Sequence, residues 1–155
     1  MVPDMSRSWD TKTGEGGWIG YELKTTQHRL RRRLEAELAG TGITASQNAV
    51  LQAVGRNPRI SNAALAREAF ITPQSMQGLL VALERDGYIR RTPHPEHGRI
   101  IMTDLTGKGR TAAHAGRDAA DRVERLMLAD LSADEVVHLR DLLKRCATAL
   151  DGDSP

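Results

Sequence analysis

The sequence predicts a mainly α-helical protein with one small β-hairpin, and three observations support this fold class. Apolar residues recur at helical spacing along most of the 155-residue chain, and aromatic residues make up only 3% of it. The stretch "RRTPHPEHGRIIMT" at residues 90–103 combines basic residues, a turn-forming loop and β-branched residues instead. An aliphatic core favours packed helices, whereas this stretch is typical of two short strands joined by a loop.

The composition is that of a single globular domain. Hydrophobic residues make up 39% and charged residues 27%, and the net charge is only +2, so the position of the charges matters more than their sum. Residues 1–16 lack periodicity and are predicted to form a flexible tail before one domain at residues 17–150. The only cysteine, Cys146, excludes an intramolecular disulfide. Because no apolar run indicates a signal peptide or a membrane span, we expect a cytoplasmic protein.

Three helices are predicted in residues 18–69. The first spans residues 18–39, where apolar residues recur at helical spacing. The second is "TASQNAVLQAV", in which Thr44 and Gln47 form a capping box. The third, "SNAALAREA", is capped by Ser61.

The fourth helix and the hairpin complete a recognisable unit. Thr72 caps the fourth helix, and Pro73 occupies its first position, where the missing N–H costs nothing. Strands are predicted at residues 88–92 and 99–103, joined by the loop "PHPEHG". Short, closely joined helices followed by a hairpin describe a winged helix-turn-helix.

Two helices follow the hairpin, and the last of them has an apolar stripe. Thr106 begins a long helix that ends near residue 129, and Ser132 with Glu135 forms a capping box for the final helix. The stripe consists of Val136, Leu139, Leu143, Cys146 and Leu150. One chain cannot cover the apolar stripes of its terminal helices, so we expect a twofold homodimer.

The fourth helix has two different faces. Its core face consists of Met76, Leu79, Leu80 and Leu83. Its opposite face holds Gln74, Gln77, Gly78, Val81 and Arg85. That face is polar but carries little charge, and amide side chains can form hydrogen bonds with base edges. The alternative is an ordinary surface face that contains a packing glycine.

The hairpin concentrates basic residues beside this polar face. The residues are Arg90, Arg91, His94, His97 and Arg99. A helix in the major groove and a basic tip on phosphates or in the neighbouring minor groove together fit double-stranded DNA. The hairpin is therefore predicted to be a DNA-binding wing.

Residues 61–110 resemble the core of the MarR family of transcriptional regulators. The matching residues are Leu65-Ala66, Leu83-Glu84, Gly87, Arg90-Arg91, Pro93, Arg99, Leu105-Thr106 and Gly109. The resemblance implies a homodimer with dimerisation helices at residues 17–43 and 107–150 and a winged helix at residues 44–106. It also implies that each winged helix binds half of a pseudo-palindromic operator, and that a small aromatic effector releases a repressor from DNA.

The DNA-binding residues expected on these grounds come from the fourth helix and the wing. They are Thr72, Gln74, Ser75, Gln77, Gly78, Arg85, Arg91, His97 and Arg99. Gln74 and Gln77 are expected in the major groove, with Thr72 and Ser75 near phosphates. The resemblance places Arg99 in the minor groove.

The chain departs from the family pattern at two of these positions. Family wings often carry Asp two residues before the wing arginine, where this chain has His97. The wing is therefore expected to be looser, or to gain a protonatable contact with DNA. Family recognition helices often carry Arg where Gly78 stands, which puts base recognition at that position in doubt.

Effector residues are expected on the first helix. Trp18, Tyr21 and His28 lie where the resemblance places an effector pocket, in a chain with few aromatic residues. The alternative is that they pack in the dimer interface. No cofactor is expected.

Four features bear on functions other than DNA-binding regulation. Cys146 is expected to be a buried structural thiol, and an oxidant sensor is the alternative, since Lys144 and Arg145 precede it. A winged helix that binds proteins instead of DNA would rarely carry so arginine-rich a wing. No enzyme motif occurs, and the H-x-x-H pair of His94 and His97 is too weak a pattern to predict a metal site.

Overall fold

The computed structural model describes residues 18–151, and its elements follow the predicted order. The helices are α1 (Ile19–Leu38), α2 (Ala45–Arg56), α3 (Asn62–Glu68), α4 (Pro73–Arg85), α5 (Gly107–Met127) and α6 (Ala133–Asp151), and the strands are β1 (Ile60–Ser61), β2 (Ile89–Pro93) and β3 (Ile101–Leu105). The strands form one antiparallel sheet in the order β1-β3-β2. The predicted fold class is confirmed, while the predicted tail at residues 1–16 lies outside the described residues.

The predicted helix caps are present. At α2, the Thr44 N–H donates to Gln47 Oε1 at 2.9 Å and the Gln47 N–H donates to Thr44 Oγ1 at 3.2 Å, which makes a complete capping box. Ser61 Oγ accepts from the Ala64 N–H at the start of α3. Thr72 Oγ1 accepts from the Ser75 N–H at the start of α4. Each cap satisfies a backbone donor that the helix itself leaves free.

The sheet differs from the prediction in its boundaries and in one additional strand. The Tyr88 N–H donates to the Leu83 carbonyl oxygen and so closes the end of α4 instead of starting a strand. Ile100 donates to the His97 carbonyl oxygen and belongs to the wing turn. The two residues of β1 pair with β3, with Ile60 opposite Thr103. A strand this short leaves no periodicity in the sequence, so it was not predicted.

The core lies mostly inside the winged-helix region, includes Leu38 of α1 and Ala119 of α5, and is mainly aliphatic. The largest fully buried side chains are Leu38, Val50, Leu51, Val54, Leu65, Met76, Leu80, Leu83 and Thr103. Leu79 is partly buried at the edge of this cluster. The predicted core face of α4 therefore faces inward, and its opposite face is left for solvent or a partner.

A close contact ties α2 to α5. A side chain at Gly116 would collide with the amide of Asn48, which is buried and donates to the Gly116 carbonyl oxygen at 3.5 Å. Gln52 continues this contact by donating to the Ala113 carbonyl oxygen at 2.6 Å. Hydrogen bonds between closely packed groups of α2 and α5 thus join the DNA-binding unit to the long helix that follows it.

Helix α6 has no buried residue in the single chain. Leu139, Leu143 and Leu150 of its apolar stripe are exposed. Cys146 is exposed as well, so the expected burial of this thiol within its own chain is wrong. The reason is that α6 packs little of its surface against the rest of the described chain, which leaves the stripe uncovered within residues 18–151.

Candidate nucleic-acid interface

The polar face of α4 is fully available at its N-terminal end. Gln74, Ser75, Gln77 and Gly78 are all exposed. The Thr72 hydroxyl donates to Ser75 Oγ at 3.0 Å, so these two side chains form one polar group at the start of the helix. The N-terminal end of a helix also carries a partial positive charge, which favours a phosphate.

Gly78 does not have a packing role. A Cβ built at this position meets no atom within 4 Å. The alternative of a packing glycine is therefore wrong in the single chain. The absent side chain leaves an open site between the exposed side chains of Gln77 and Val81, where the surface of a partner can approach the helix backbone closely.

Arg85 is less available than predicted. It lies at the far end of α4, where its Nε donates to Asp86 Oδ1 at 2.8 Å and its Nη2 donates to Asp86 Oδ2 at 3.1 Å. This hydrogen-bonded pair raises the pKa of Arg85 and holds the pKa of Asp86 below its usual range. A phosphate would have to replace the carboxylate, so the DNA contact predicted for Arg85 carries the least support among the α4 residues.

Arg91 faces the protein instead of the solvent. Only 14% of its side chain is exposed, and Nη1 lies 3.7 Å from Glu84 Oε2. The Arg91 N–H also donates to Glu84 Oε1 at 3.2 Å. Arg91 therefore joins the base of the wing to α4, and little of its side chain is exposed for the predicted DNA contact.

The wing turn is closed by its two histidines. His94 Nδ1 accepts from the N–H groups of Glu96 and His97 at 3.1 and 3.2 Å. The two imidazole rings stack with their centroids 5.2 Å apart. His94 and Ile100 add a 2.7 Å backbone bond across the hairpin. His94 therefore organises the turn of the wing through these hydrogen bonds.

The wing presents cationic side chains to solvent at its tip and at its base. His97 and Arg99 at the tip are exposed, and so is Arg90, which lies opposite Asp104 near the base. Within residues 18–151, neither Arg90 nor Arg99 forms an ion pair. Arg99 is thus exposed for the predicted minor-groove contact, whereas most of the Arg91 side chain is covered.

Within residues 18–151, the predicted effector residues lie on the surface. Trp18, Tyr21 and His28 are exposed along α1, with Trp18 81% accessible. A cavity of about 350 Å³ lies elsewhere, at the junction of α2, β3 and α5. Its polar lining includes Gln52, Arg56, Asp104, Arg110, His114 and Arg117. Sequence patterns did not indicate this cavity, because its residues come from three separate segments.

Two further properties bear on the type of site. In the part of the chain that the structure describes, no three His, Cys, Asp or Glu side chains cluster so as to hold a metal ion. No helix within residues 18–151 combines the length and apolarity needed to cross a membrane.

An exposed polar helix, a closed basic wing and a three-stranded sheet define a winged-helix protein of the DNA-binding type. Comparison with known proteins identifies the family. Residues 41–100 match the model of the MarR family. The HTH-type transcriptional repressor Rv2887 of Mycobacterium tuberculosis is 30% identical over 127 residues, which is 82% of this chain and 91% of the relative. The chain belongs to the MarR family of transcriptional regulators, and it is therefore a regulator and not an enzyme.

Solved structures agree with this assignment. A probable transcriptional regulator from Pseudomonas aeruginosa superimposes with a TM-score of 0.73 at 32% identity, over 83% of this chain and 96% of that one. The Rv2887 complex with salicylic acid has a TM-score of 0.69 at 29% identity, over 85% and 98%. A MarR variant from E. coli, solved with operator DNA, has a TM-score of 0.77 over 83% and 92%, and its 24% identity supports the fold alone.

Proposed function

We propose that the protein is a homodimeric repressor that binds a specific sequence in double-stranded DNA and is released by a small aromatic acid. One observation carries the DNA-binding part: the exposed, uncharged polar end of α4 lies in the same unit as an exposed basic wing. A recognition helix needs groups that exchange hydrogen bonds with bases, and a wing needs cations for phosphates.

The base contacts are assigned to α4. Gln74 and Gln77 carry amides that both donate and accept, as adenine requires in the major groove. Thr72 and Ser75 at the helix start would meet the phosphate backbone. The open position at Gly78 allows the helix to lie closer to the groove floor than a family member with Arg at this point.

The wing contacts are assigned to the exposed tip. Arg99 would enter the minor groove, whose negative potential is strongest where A·T pairs narrow it. His97 is exposed beside it and would contact the backbone. Arg91 acts indirectly, because its contact with Glu84 sets the position of the wing relative to α4.

Dimerisation is proposed through the terminal helices. The N-terminal half of α1 exposes Trp18, Ile19 and Tyr21, and α6 exposes apolar residues along its length. The exposure of both apolar surfaces supports the division into dimerisation helices at residues 17–43 and 107–150 and a DNA-binding region at residues 44–106. A twofold dimer presents two recognition helices, which fits a pseudo-palindromic operator.

Repression and effector release are supported by the relatives. Rv2887 bears the name of a transcriptional repressor and was solved with salicylic acid. Two places are available to an aromatic carboxylate. One is the predicted region at Trp18, Tyr21 and His28, which a partner chain would have to complete. The other is the cavity of α2, β3 and α5, where Arg117 and His114 could pair with a carboxylate.

Selection of genomic fragments tests the DNA-binding proposal. The purified protein is mixed with sheared DNA of the source organism at moderate salt, and the retained fragments are sequenced. Recovery of one inverted-repeat motif supports the proposal. Uniform recovery of all fragments, or of none, contradicts it, because a sequence-specific dimer must discriminate between its operator and other DNA.

Salicylic acid tests the effector proposal with the recovered duplex as reporter. We expect it to raise the melting temperature of the free protein and to weaken duplex binding. Tyr21→Ala and Arg117→Ala separate the two candidate places, since only the variant in the occupied one loses the response. A response that survives in both variants would exclude both places.

A further inference from the structure

Phe70 occupies the turn of the helix-turn-helix and lies almost entirely in solvent. It is the only phenylalanine of the chain. Its exposed fraction is 98%, the highest of the large apolar side chains in residues 18–151. The residue stands between α3 and α4, two positions before the Thr72 cap. An aromatic ring at this place does not contribute to the core.

The backbone of Phe70 is also unfavourable for a side chain. Its φ is +52°, in the left-handed region that favours glycine. The Phe70 N–H donates to Arg67 O at 3.3 Å and the Ile71 N–H donates to Ala66 O at 3.0 Å. These two bonds form a Schellman motif, and Phe70 holds the position where glycine is most common.

The motif does not need the ring of Phe70. Its usual apolar contact is made by the next residue, Ile71, which is partly buried against the core. Phe70 thus combines a strained backbone with a ring that the fold leaves unused. Strain of this kind tends to persist where it serves binding.

The surroundings of the ring favour DNA over a protein partner. The exposed residues nearest along the chain are Arg67 before the turn and Thr72, Pro73 and Gln74 after it, so no second large apolar side chain is exposed beside the ring in the sequence. A protein interface would require a contiguous apolar patch. The turn also adjoins the end of α4 that carries the proposed base and phosphate contacts.

We infer that Phe70 is a DNA contact whose ring packs against the apolar C–H surface of the duplex. That surface is either a thymine methyl group in the major groove or a neighbouring deoxyribose. The inference rests on the proposed DNA-binding function and adds a residue that carries neither charge nor hydrogen-bonding groups. The α3–α4 turn then contributes affinity that does not depend on salt.

Phe70→Gly is the decisive variant because it separates folding from binding. Removal of the strain should raise the melting temperature by about 2–4 °C. Loss of the ring should weaken binding to the genomically selected duplex by roughly three- to tenfold, without a change in the salt slope. Phe70→Ala, which keeps the strained backbone but lacks the ring, should show the same loss of affinity.

Uracil substitution distinguishes the two possible contacts. If the ring meets a thymine methyl, one thymine-to-uracil change should weaken the wild type but not Phe70→Gly. If the ring meets deoxyribose, no thymine-to-uracil change should weaken binding of the wild type more than binding of Phe70→Gly. Phe70→Gly should then lose the same factor of affinity for selected and random duplexes. Either pattern supports the inference.

Three results would overturn the inference. The first is that Phe70→Gly binds DNA as tightly as the wild type. The second is that Phe70→Gly loses affinity but Phe70→Ala does not. The third is that Phe70→Gly melts at a lower temperature than the wild type or changes its oligomeric state. The first result together with weakened binding by Arg99→Ala removes the contact of Phe70 but leaves the proposed function standing. Failure of the wild type to select any duplex removes both.

Discussion

The winged-helix region and the C-terminal helix place similar apolar patterns in opposite environments. In α4, Met76, Leu80 and Leu83 are fully buried by α2, α3 and the sheet. In α6, Leu139 and Leu143 follow the same spacing but remain exposed. The first region completes its own core, whereas the apolar stripe of the second is left uncovered in the described chain. Under the proposed dimerisation, the stability of α6 should therefore change with protein concentration.

The largest effect is expected from a substitution that disrupts the apolar stripe of α6. Leu143→Lys places a charge in the proposed dimer interface, and we expect a monomer with DNA affinity reduced by more than about 100-fold, since burial of an unpaired charge is costly. Sedimentation and duplex binding measure both effects. Leu143→Met, which keeps the apolar volume, is the control. A dimer that persists in Leu143→Lys would show that α6 is not the interface.

The junction between the two regions provides the second test. Gly116→Val forces a side chain against the buried Asn48 amide and should lower the free energy of unfolding by about 1–3 kcal/mol or more. Gly78→Ala is the matched control in open space and should raise it by up to about 1 kcal/mol. Denaturant unfolding measures both. Equal effects of the two changes would mean that α2 and α5 do not meet as described.

Loss of a base contact from α4 is expected to change the free energy of DNA binding by a similar amount, without a change in stability. Gln77→Ala should weaken binding to the selected duplex by about 1–3 kcal/mol and leave random DNA unaffected. Fluorescence titration against both duplexes tests this. The assignment of Gln77 to a base edge fails if the two affinities fall together.

Substitutions of Arg91, which points inward, and Arg99, which points outward, are expected to have different effects. Arg99→Ala should reduce the magnitude of the salt slope of binding by about one unit while the melting temperature stays constant. Arg91→Ala should instead lower stability by about 1 kcal/mol, since Glu84 loses its partner, and should leave the slope unchanged. The opposite outcome for this pair would reverse the roles given to the base and the tip of the wing.

The smallest effect concerns the start of α6. Hydrogen bonds from the backbone and hydroxyl of Ser132 hold the pKa of Glu135 below its usual range. When folding lowers the pKa of a carboxyl group, the ionised group stabilises the folded state at pH values above its unfolded-state pKa. This stabilisation disappears as the pH falls through the folded-state pKa. Ser132→Ala should therefore melt below the wild type at neutral pH, with a gap that narrows in acid. A gap that is constant between pH 7 and pH 3 would contradict this linkage, and Ser132→Thr is the control.

Features that depend on neighbours in the chain were predictable. The caps at Thr44, Ser61 and Thr72 join residues only three positions apart, so composition and spacing suffice to find them. The same holds for the apolar face of α4 and for the basic wing. These local patterns determined the order of elements and hence the fold class.

Contacts between distant segments were decided by the tertiary structure alone. Asn48 meets Gly116 across 68 positions, and no local pattern marks either residue. The inward turn of Arg91 requires β2 to fold back on α4, and the two residues of β1 become a strand only because β3 supplies their hydrogen-bond partners. Phe70 likewise looks like any core residue in the sequence, and only the left-handed turn exposes it. Sequence by itself determined which residues favour helix, wing and groove, while the packing of distant segments decided which of those side chains remain free to bind.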